Sequence, residues 1–354
     1  MTVTTLPRGR RALILALGGL VFWMSAGASA ADFDPRRGEV RALVDDVAER
    51  GVDRDWLEDA LDRAEFRQEV LDAMSGAAEH HLVWHEYRDI FLGEERIAQG
   101  AAFIDAHREA FARAEDEYGV PPEIIAAILG VETRYGKITG DHRVLDSLST
   151  LAFHHPRRGA FFRDELAAFL EIAFQQEVAP ESIEGSYAGA MGYPQFIPTS
   201  YRAYAVDFDG DGHRNLWTDP VDAIGSIGNY FAEHHWRAGA PIYHEAQGPA
   251  EPPEAIRFNE ARPPGTRLAE LERAGIVSEA ALPDDVDVMP LALDMADGTV
   301  RYRLGRDNFY VITRYNHSYL YAMAVTELAE AIAEARGRQA DWFTATAADP
   351  EESP

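Results

Sequence analysis

The chain has 354 residues, 46% of them hydrophobic, enough for one large or two modest domains with a real core. It has no cysteine, which excludes disulfides, thiolate catalysis, zinc–thiolate sites and a lipid-bearing cysteine. The formal net charge of −27, with Lys137 as the only lysine, argues against nucleic-acid binding through a broad basic surface. An acidic, lysine-poor surface suits high salt, where self-repulsion is screened, although high genomic GC content would also favour arginine over lysine.

Residues 1–30 read as an export signal. Arg8, Arg10 and Arg11 precede the apolar run ALILALGGLVFWM, and Ala28-Ser29-Ala30 forms an A-x-A cleavage site. The expected product is exported and periplasmic; the alternative is an inner-membrane anchor formed by an uncleaved signal.

Residues 31–118 form an N-terminal helical region, with apolar positions three and four apart: Val40, Leu43, Val44, Val47, then Trp56, Leu57 and Leu61. The aromatic-rich segment HHLVWHEYRDIF lines a groove or packs a core. Residues 119–239 form the richest stretch, helical with glycine-marked loops. Pro121 and Pro122 suit a helix start, and Ile124, Ile125, Ile128 and Leu129 mark one buried stripe. Glu132 follows Ile128 by four residues and projects from that same face. A carboxylate aimed at a core must be paired, hydrogen-bonded or kept protonated, and a raised pKa is what a general acid needs. The plain alternative is an ion pair with Arg134 or Arg143.

The loop GSYAGAMGYPQFIPTSY (185–201) lets backbone approach a ligand closely, with Ser186 and Gln195 available to hydroxyls or amides; a tightly packed turn has the same composition. VDFDGDGHRNLW reads as the first half of a calcium loop: Asp207, Asp209 and Asp211 alternate, Gly212 allows the bend, and His213 and Asn215 follow. The twelfth position is Thr218 and not glutamate; Asp219 or Asp222 closes the sphere if the loop is slightly longer, and the alternative is an acidic surface turn that binds nothing.

Residues 240–307 form a small insert containing strands, with a short helix at LAELERAGI and a hairpin around Asp297-Gly298. Residues 308–340 return to the core as a short strand and an amphipathic helix, with Arg314, Tyr315, Asn316, Tyr319 and Tyr321 gathered in one segment. Residues 341–354 form a disordered tail. The whole is α+β, mainly α.

The ordered motifs AAILGVETRYG, GSYAGAMGYPQFIPTSYRAYAVDFDGDGH, DPVDAIGSIGNYF and YVITRYNHSYLYAMAV resemble the lytic murein transglycosylase B family (glycoside hydrolase family 103) over nearly the whole exported chain. The resemblance implies a lysozyme-like core and cleavage of the bond between N-acetylmuramic acid and N-acetylglucosamine in peptidoglycan, with 1,6-anhydromuramic ends. It implies that Glu132 acts as acid and then base, with the muramic N-acetyl group as internal nucleophile. By the same resemblance Ser186, Gln195, Arg157, Arg158, Tyr230, Tyr315, Asn316 and Tyr321 serve the substrate. A structural calcium falls on Asp207, Asp209, Asp211, His213 and Asp222. Peptidoglycan strands are the implied partner, with cell-wall synthesis enzymes as further candidates. Phe161 stands where the family often has tyrosine, and the lipid-bearing cysteine of membrane-bound members is missing. The alternatives are a lysozyme-type hydrolase, with Asp141 or Asp146 as a second carboxylate, and a non-catalytic wall-binding scaffold.

Overall fold

The computed structural model describes residues 33–76, 82–338 and 340. The export signal and the tail expected from the sequence lie outside the described residues. The N-terminal region is a chain of short helices: α1 (Gly38–Glu49), α2 (Arg54–Asp62), α3 (Gln68–Gly76), α4 (Trp84–Phe91), α5 (Glu94–Ala106) and α6 (Arg108–Tyr118). Val40, Leu43, Val44 and Val47 bury one face of α1, and Asp53 caps α2 by accepting the Trp56 N–H at 2.9 Å.

The middle of the chain contributes α7 (Pro122–Thr133), β1 (His142–Arg143), α8 (Val144–His154), α9 (Gly159–Gln175), β2 (Glu184–Gly185), α10 (Pro198–Tyr204) and α11 (Pro220–Glu233). The sequence suggests one buried stripe on α7, yet residues Ile124 to Leu129 are all fully buried. A helix apolar all round belongs at the centre of a bundle; α5, α6 and α11 enclose it here, together with the last helix of the chain. Glu123, fully buried beside that core, is held by Arg336 at 2.6 Å and Arg338 at 3.1 Å.

Next come β3 (Tyr243–Gln247), β4 (Thr266–Arg267), α12 (Leu268–Arg273), β5 (Val277–Ser278), β6 (Asp287–Asp294) and β7 (Val300–Gly305), then α13 (Asp307–Tyr315) and α14 (Tyr319–Ala335). The strands form an antiparallel sheet in the order β4-β6-β7-β3-β5. The expected hairpin joins β6 to β7: Asp297 accepts the Thr299 N–H at 2.9 Å, and Gly298 takes φ 81°. Strand alternation gives β6 two jobs. Met289, Leu291 and Leu293 enter the main helical core, while Val288 and Ala292 join a second core with Leu268, Leu271 and Tyr302. The sheet is thereby fastened to the helical body.

One expectation is corrected. The segment after β7 is the helix α13, although Tyr310-Val311-Ile312-Thr313 favours a strand. Phe309 and Ile312 are fully buried at helical spacing, and the Asn308 side chain ties the helix start to Arg237 and Ala240. Tertiary burial overrides local propensity here.

Candidate active site

Glu132 sits in the last turn of α7, half-buried. The helix then stops abruptly, because Arg134, Tyr135 and Gly136 all take positive φ (50°, 61° and 81°). Two bonds hold this strained exit: Tyr135 N–H to Leu129 C=O at 2.9 Å, and the Tyr135 hydroxyl to Arg96 C=O at 2.9 Å. Neither nearby arginine pairs with Glu132. Arg134 turns to Glu95 at 2.6 Å, and Arg143 turns to Asp146 at 3.4 Å. The partner of Glu132 is Tyr321 on α14, whose hydroxyl donates to Oε1 at 2.6 Å. Burial pushes the carboxyl up to about 7, against the lowering effect of that one hydrogen bond.

The groups that feel the charge of Glu132 are tyrosines. Burial first, then Glu132, raises Tyr315 and Tyr321 well above the ordinary range and pushes Tyr87 on α4 up to about 12. Tyr315 and Tyr321 lie nearly parallel, 6.3 Å apart with 9° between planes. Tyr230 packs behind Tyr315 at 4.8 Å. Tyr230 donates to Arg314 C=O at 2.6 Å and Tyr315 to Pro194 C=O at 2.6 Å. Their hydroxyls are therefore spent inside the protein, and both rings support the wall behind Glu132.

The loop after β2 is bonded to the same place. The Thr133 hydroxyl donates to Tyr193 C=O at 3.0 Å, and Gly136 faces the Tyr193 ring so closely that a Cβ would overlap it. Ser186 Oγ accepts the Ala190 N–H at 3.0 Å and the Ala188 N–H at 3.3 Å, which leaves its own proton to offer. Gln195, held at φ 50°, donates Nε2 to Thr139 and Gly192 carbonyls at 3.0 Å each. Two acceptors fix the amide's orientation and leave Oε1 as the outward acceptor. No hydrogen bond joins Ser186 or Gln195 to Glu132 among the described residues. Asn316 is exposed between α13 and α14. Arg157 and Arg158 are exposed at the start of α9, with the Arg158 guanidinium 4.5 Å over the Phe161 ring. No contact among the described residues links either arginine to Glu132.

The acidic loop is folded as a cation site would be. Asp207 accepts the N–H groups of Gly210, Asp211 and Gly212 at 2.8–3.1 Å, and Gly210 and Gly212 take positive φ. Carboxylate oxygens of Asp207, Asp209 and Asp211 lie within 4.8 Å of one another, as do those of Asp209, Asp219 and Asp222. Asp222 is buried and raised by burial, then by the charges of Asp219 and Asp209, against N–H bonds from Asn215 and Phe208. An all-oxygen set of this kind fits a calcium ion. His213 has an exposed side chain, and its backbone N–H donates to Asp211 Oδ1 at 2.8 Å.

The transglycosylase SLT domain family matches residues 36–330. The chain belongs to this family. It is 42% identical over 300 residues to membrane-bound lytic murein transglycosylase B of Escherichia coli K12, covering 82% of this chain and 81% of that one. It is similar to the crystal structure of the soluble lytic transglycosylase SltB1 of Pseudomonas aeruginosa, with TM-score 0.77 and 47% identity over 84% of this chain and 99% of that one. It is also similar to the Escherichia coli lytic transglycosylase Slt35 in complex with calcium, with TM-score 0.78 and 41% identity over 86% and 95% of the two chains. The protein is a lytic transglycosylase that acts on peptidoglycan, and its mainly helical α+β fold is that of its relatives.

In this lytic transglycosylase one of the second carboxylates suggested by the sequence is solvated and the other is held by partners. The Asp141 side chain is 96% exposed. Asp146 is buried and bound by Arg67 at 3.0 Å and the Glu65 N–H at 3.0 Å. Sequence reasoning left Tyr87 without a role; its only signal was the aromatic-rich segment around it. Asp219 was open as a closing ligand, and the fold places it beside Asp209 and Asp222.

Proposed function

We propose that this transglycosylase cleaves the β-1,4 bond between N-acetylmuramic acid and N-acetylglucosamine with Glu132 as its single acid and base, leaving 1,6-anhydromuramic ends. The observation that carries this reading is a carboxyl raised to about 7, bonded by Tyr321, with Tyr87 and Tyr315 also responding to its charge. A carboxyl protonated near neutral pH can donate to the leaving glycosidic oxygen. The C1–O bond breaks as the oxygen takes the proton, and the muramic N-acetyl oxygen attacks C1. Glu132, now a carboxylate, accepts the C6 hydroxyl proton while O6 attacks C1 and expels the N-acetyl oxygen. The proton ends on Glu132 and no water is consumed. Tyr321 stabilises the carboxylate between the two steps.

Ser186 offers a donor and Gln195 an acceptor to the sugar, and Arg157, Arg158 and Asn316 contact the strand farther out. Tyr230, Tyr315 and Tyr321 form the wall behind the muramic residue. Asp207, Asp209, Asp211, Asp219 and Asp222, with the His213 carbonyl, would hold calcium, which when bound neutralises and braces the loop. The protein works in the periplasm on peptidoglycan strands, after export by residues 1–30. The test is mass spectrometry of fragments released from purified sacculi. Anhydromuramic ends from the wild type and none from Glu132→Gln are expected. Fragments one water heavier would instead mean a hydrolase using Asp141 or Asp146.

A further inference from the structure

Thr133 is the last residue of α7, next in sequence to Glu132 and 1% exposed. Its Oγ1 accepts the Gly136 N–H at 3.0 Å. The one hydroxyl proton goes to Tyr193 C=O at 3.0 Å, with Leu129 C=O at 3.3 Å as the longer alternative. The Thr133 backbone C=O accepts the Ile138 N–H at 2.9 Å. One residue therefore holds two separate segments, the turn that leaves α7 and the loop at Tyr193.

Both segments lead to Gln195. Its Nε2 donates to Thr139 C=O, next after Ile138, and to Gly192 C=O, next before Tyr193, at 3.0 Å each. The two carbonyls that aim this side chain thus stand one residue away from the two segments tied to Thr133. The loop has little room to slide. A Cβ on Gly136 would lie 2.0 Å from a carbon of the Tyr193 ring, so ring and turn are in contact. The Tyr193 N–H donates to Leu216 C=O at 2.9 Å, and Pro194 C=O accepts the Tyr315 hydroxyl at 2.6 Å.

We propose that Thr133 is a positioning residue that sets the Gln195 amide against the Glu132 carboxyl, so that the acid and the sugar-holding amide share one mount. No hydrogen bond among the described residues joins the Thr133 hydroxyl or Gln195 to Glu132, so the effect is on geometry and not on acidity. An acid works only on a bond held at contact distance, and about an ångström of slack costs heavily in rate. The assignment deepens the reading of Gln195 as an acceptor for the sugar and rests on it.

The test is a double-mutant cycle on cleavage of soluble peptidoglycan strands. Thr133→Val keeps the side chain's shape and removes both hydroxyl bonds. Its kcat should fall about tenfold, while the alkaline limb of the pH–rate profile stays in place. Thr133→Ser keeps the hydroxyl on a freer side chain and should recover most of the rate. In a Gln195→Ala protein, Thr133→Val should cost at most about twofold more. A smaller folded fraction, by contrast, would lower the rate equally in both backgrounds. A full tenfold loss beside Gln195→Ala would overturn the proposal, as would an alkaline limb that moves with Thr133→Val. If Thr133→Val does not fold, the smaller loss from Thr133→Ser goes through the same cycle and must vanish beside Gln195→Ala. If Gln195→Ala alone leaves cleavage unchanged, the sugar-binding reading of Gln195 fails and the proposal falls with it. A costly Gln195→Ala with an additive Thr133→Val refutes the proposal alone.

Discussion

The Tyr321 hydroxyl donates to Glu132 Oε1 at 2.6 Å across 189 positions of sequence. This bond opposes burial, which pushes the carboxyl up to about 7, and it favours the charged form. Tyr321→Phe removes a donor that serves the carboxylate and leaves the buried ring in place. The pKa of Glu132 should rise further, so the alkaline limb of the rate profile moves to higher pH. kcat should fall about tenfold or more, since a hydrogen bond to a charged group is lost. A pH–rate profile of both proteins reads the two effects separately.

Glu132 also burdens the fold. In the unfolded chain its carboxyl titrates near 4.5, and in the folded protein near 7. Between those values the unfolded chain releases a proton that the folded protein keeps, so stability falls as pH rises from 4.5 to 7 and stays lower above. Glu132→Gln should therefore be more stable than the wild type at pH 8, on the order of 2 kcal/mol, with the gain vanishing below pH 4.5. Denaturant titrations at pH 4 and pH 8 check this sign.

The acidic loop, read as a calcium site, gives a third expectation. Asp209 belongs to both carboxylate groupings, so it bridges the loop to Asp219 and Asp222 at the start of α11. Calcium at about 100 times its dissociation constant adds about 2.7 kcal/mol of stability. Chelation should lower the melting temperature by roughly 5 °C or more. Asp209→Asn should lose most of the calcium response while retaining activity at low temperature, as a structural ion predicts. Thermal melts with and without chelator decide it.

Much of this site was legible because its determinants are local. The helix register points Glu132 inward, and alternating aspartates with Gly212 specify the acidic loop within six residues. The contacts that tune Glu132 are not local. Nothing in the HHLVWHEYRDIF segment announces that Tyr87 faces a carboxylate 45 positions away, since that depends on how α4 packs against α14. The short strand expected at the start of the 308–340 segment failed for the same reason: burial of Phe309 and Ile312 outweighs β-branched preference. The Arg67–Asp146 pair, which removes a candidate second carboxylate, likewise forms only after α3 meets α8.

Glu327 on α14 supplies the last prediction. Its buried carboxylate accepts from Arg88 on α4 at 2.7 Å and from Arg303 on β7 at 3.0 Å. Arg88 adjoins Tyr87, so this clamp fastens the helix carrying Tyr87 to the helix carrying Tyr321, with the small sheet as the third party. Among the described residues the tyrosines that respond to Glu132 are Tyr87, Tyr315 and Tyr321, and the clamp holds the helix of Tyr87 against the helix of Tyr321. Glu327→Gln should loosen α4 and admit water beside Glu132. With less desolvation its pKa drops from about 7 toward the ordinary carboxylate range, and the alkaline limb of kcat/KM moves to lower pH. Loss of a buried partner also costs stability, so a matched control is needed. Glu171, nearly as buried and held by Arg50 at 2.6 Å and Arg202 at 3.2 Å, clamps α1 to α9 and α10. Glu171→Gln should cost similar stability and leave the pH profile in place. A profile that shifts equally in both variants would mean that general loosening, and not the Tyr87 helix, sets the acidity of Glu132.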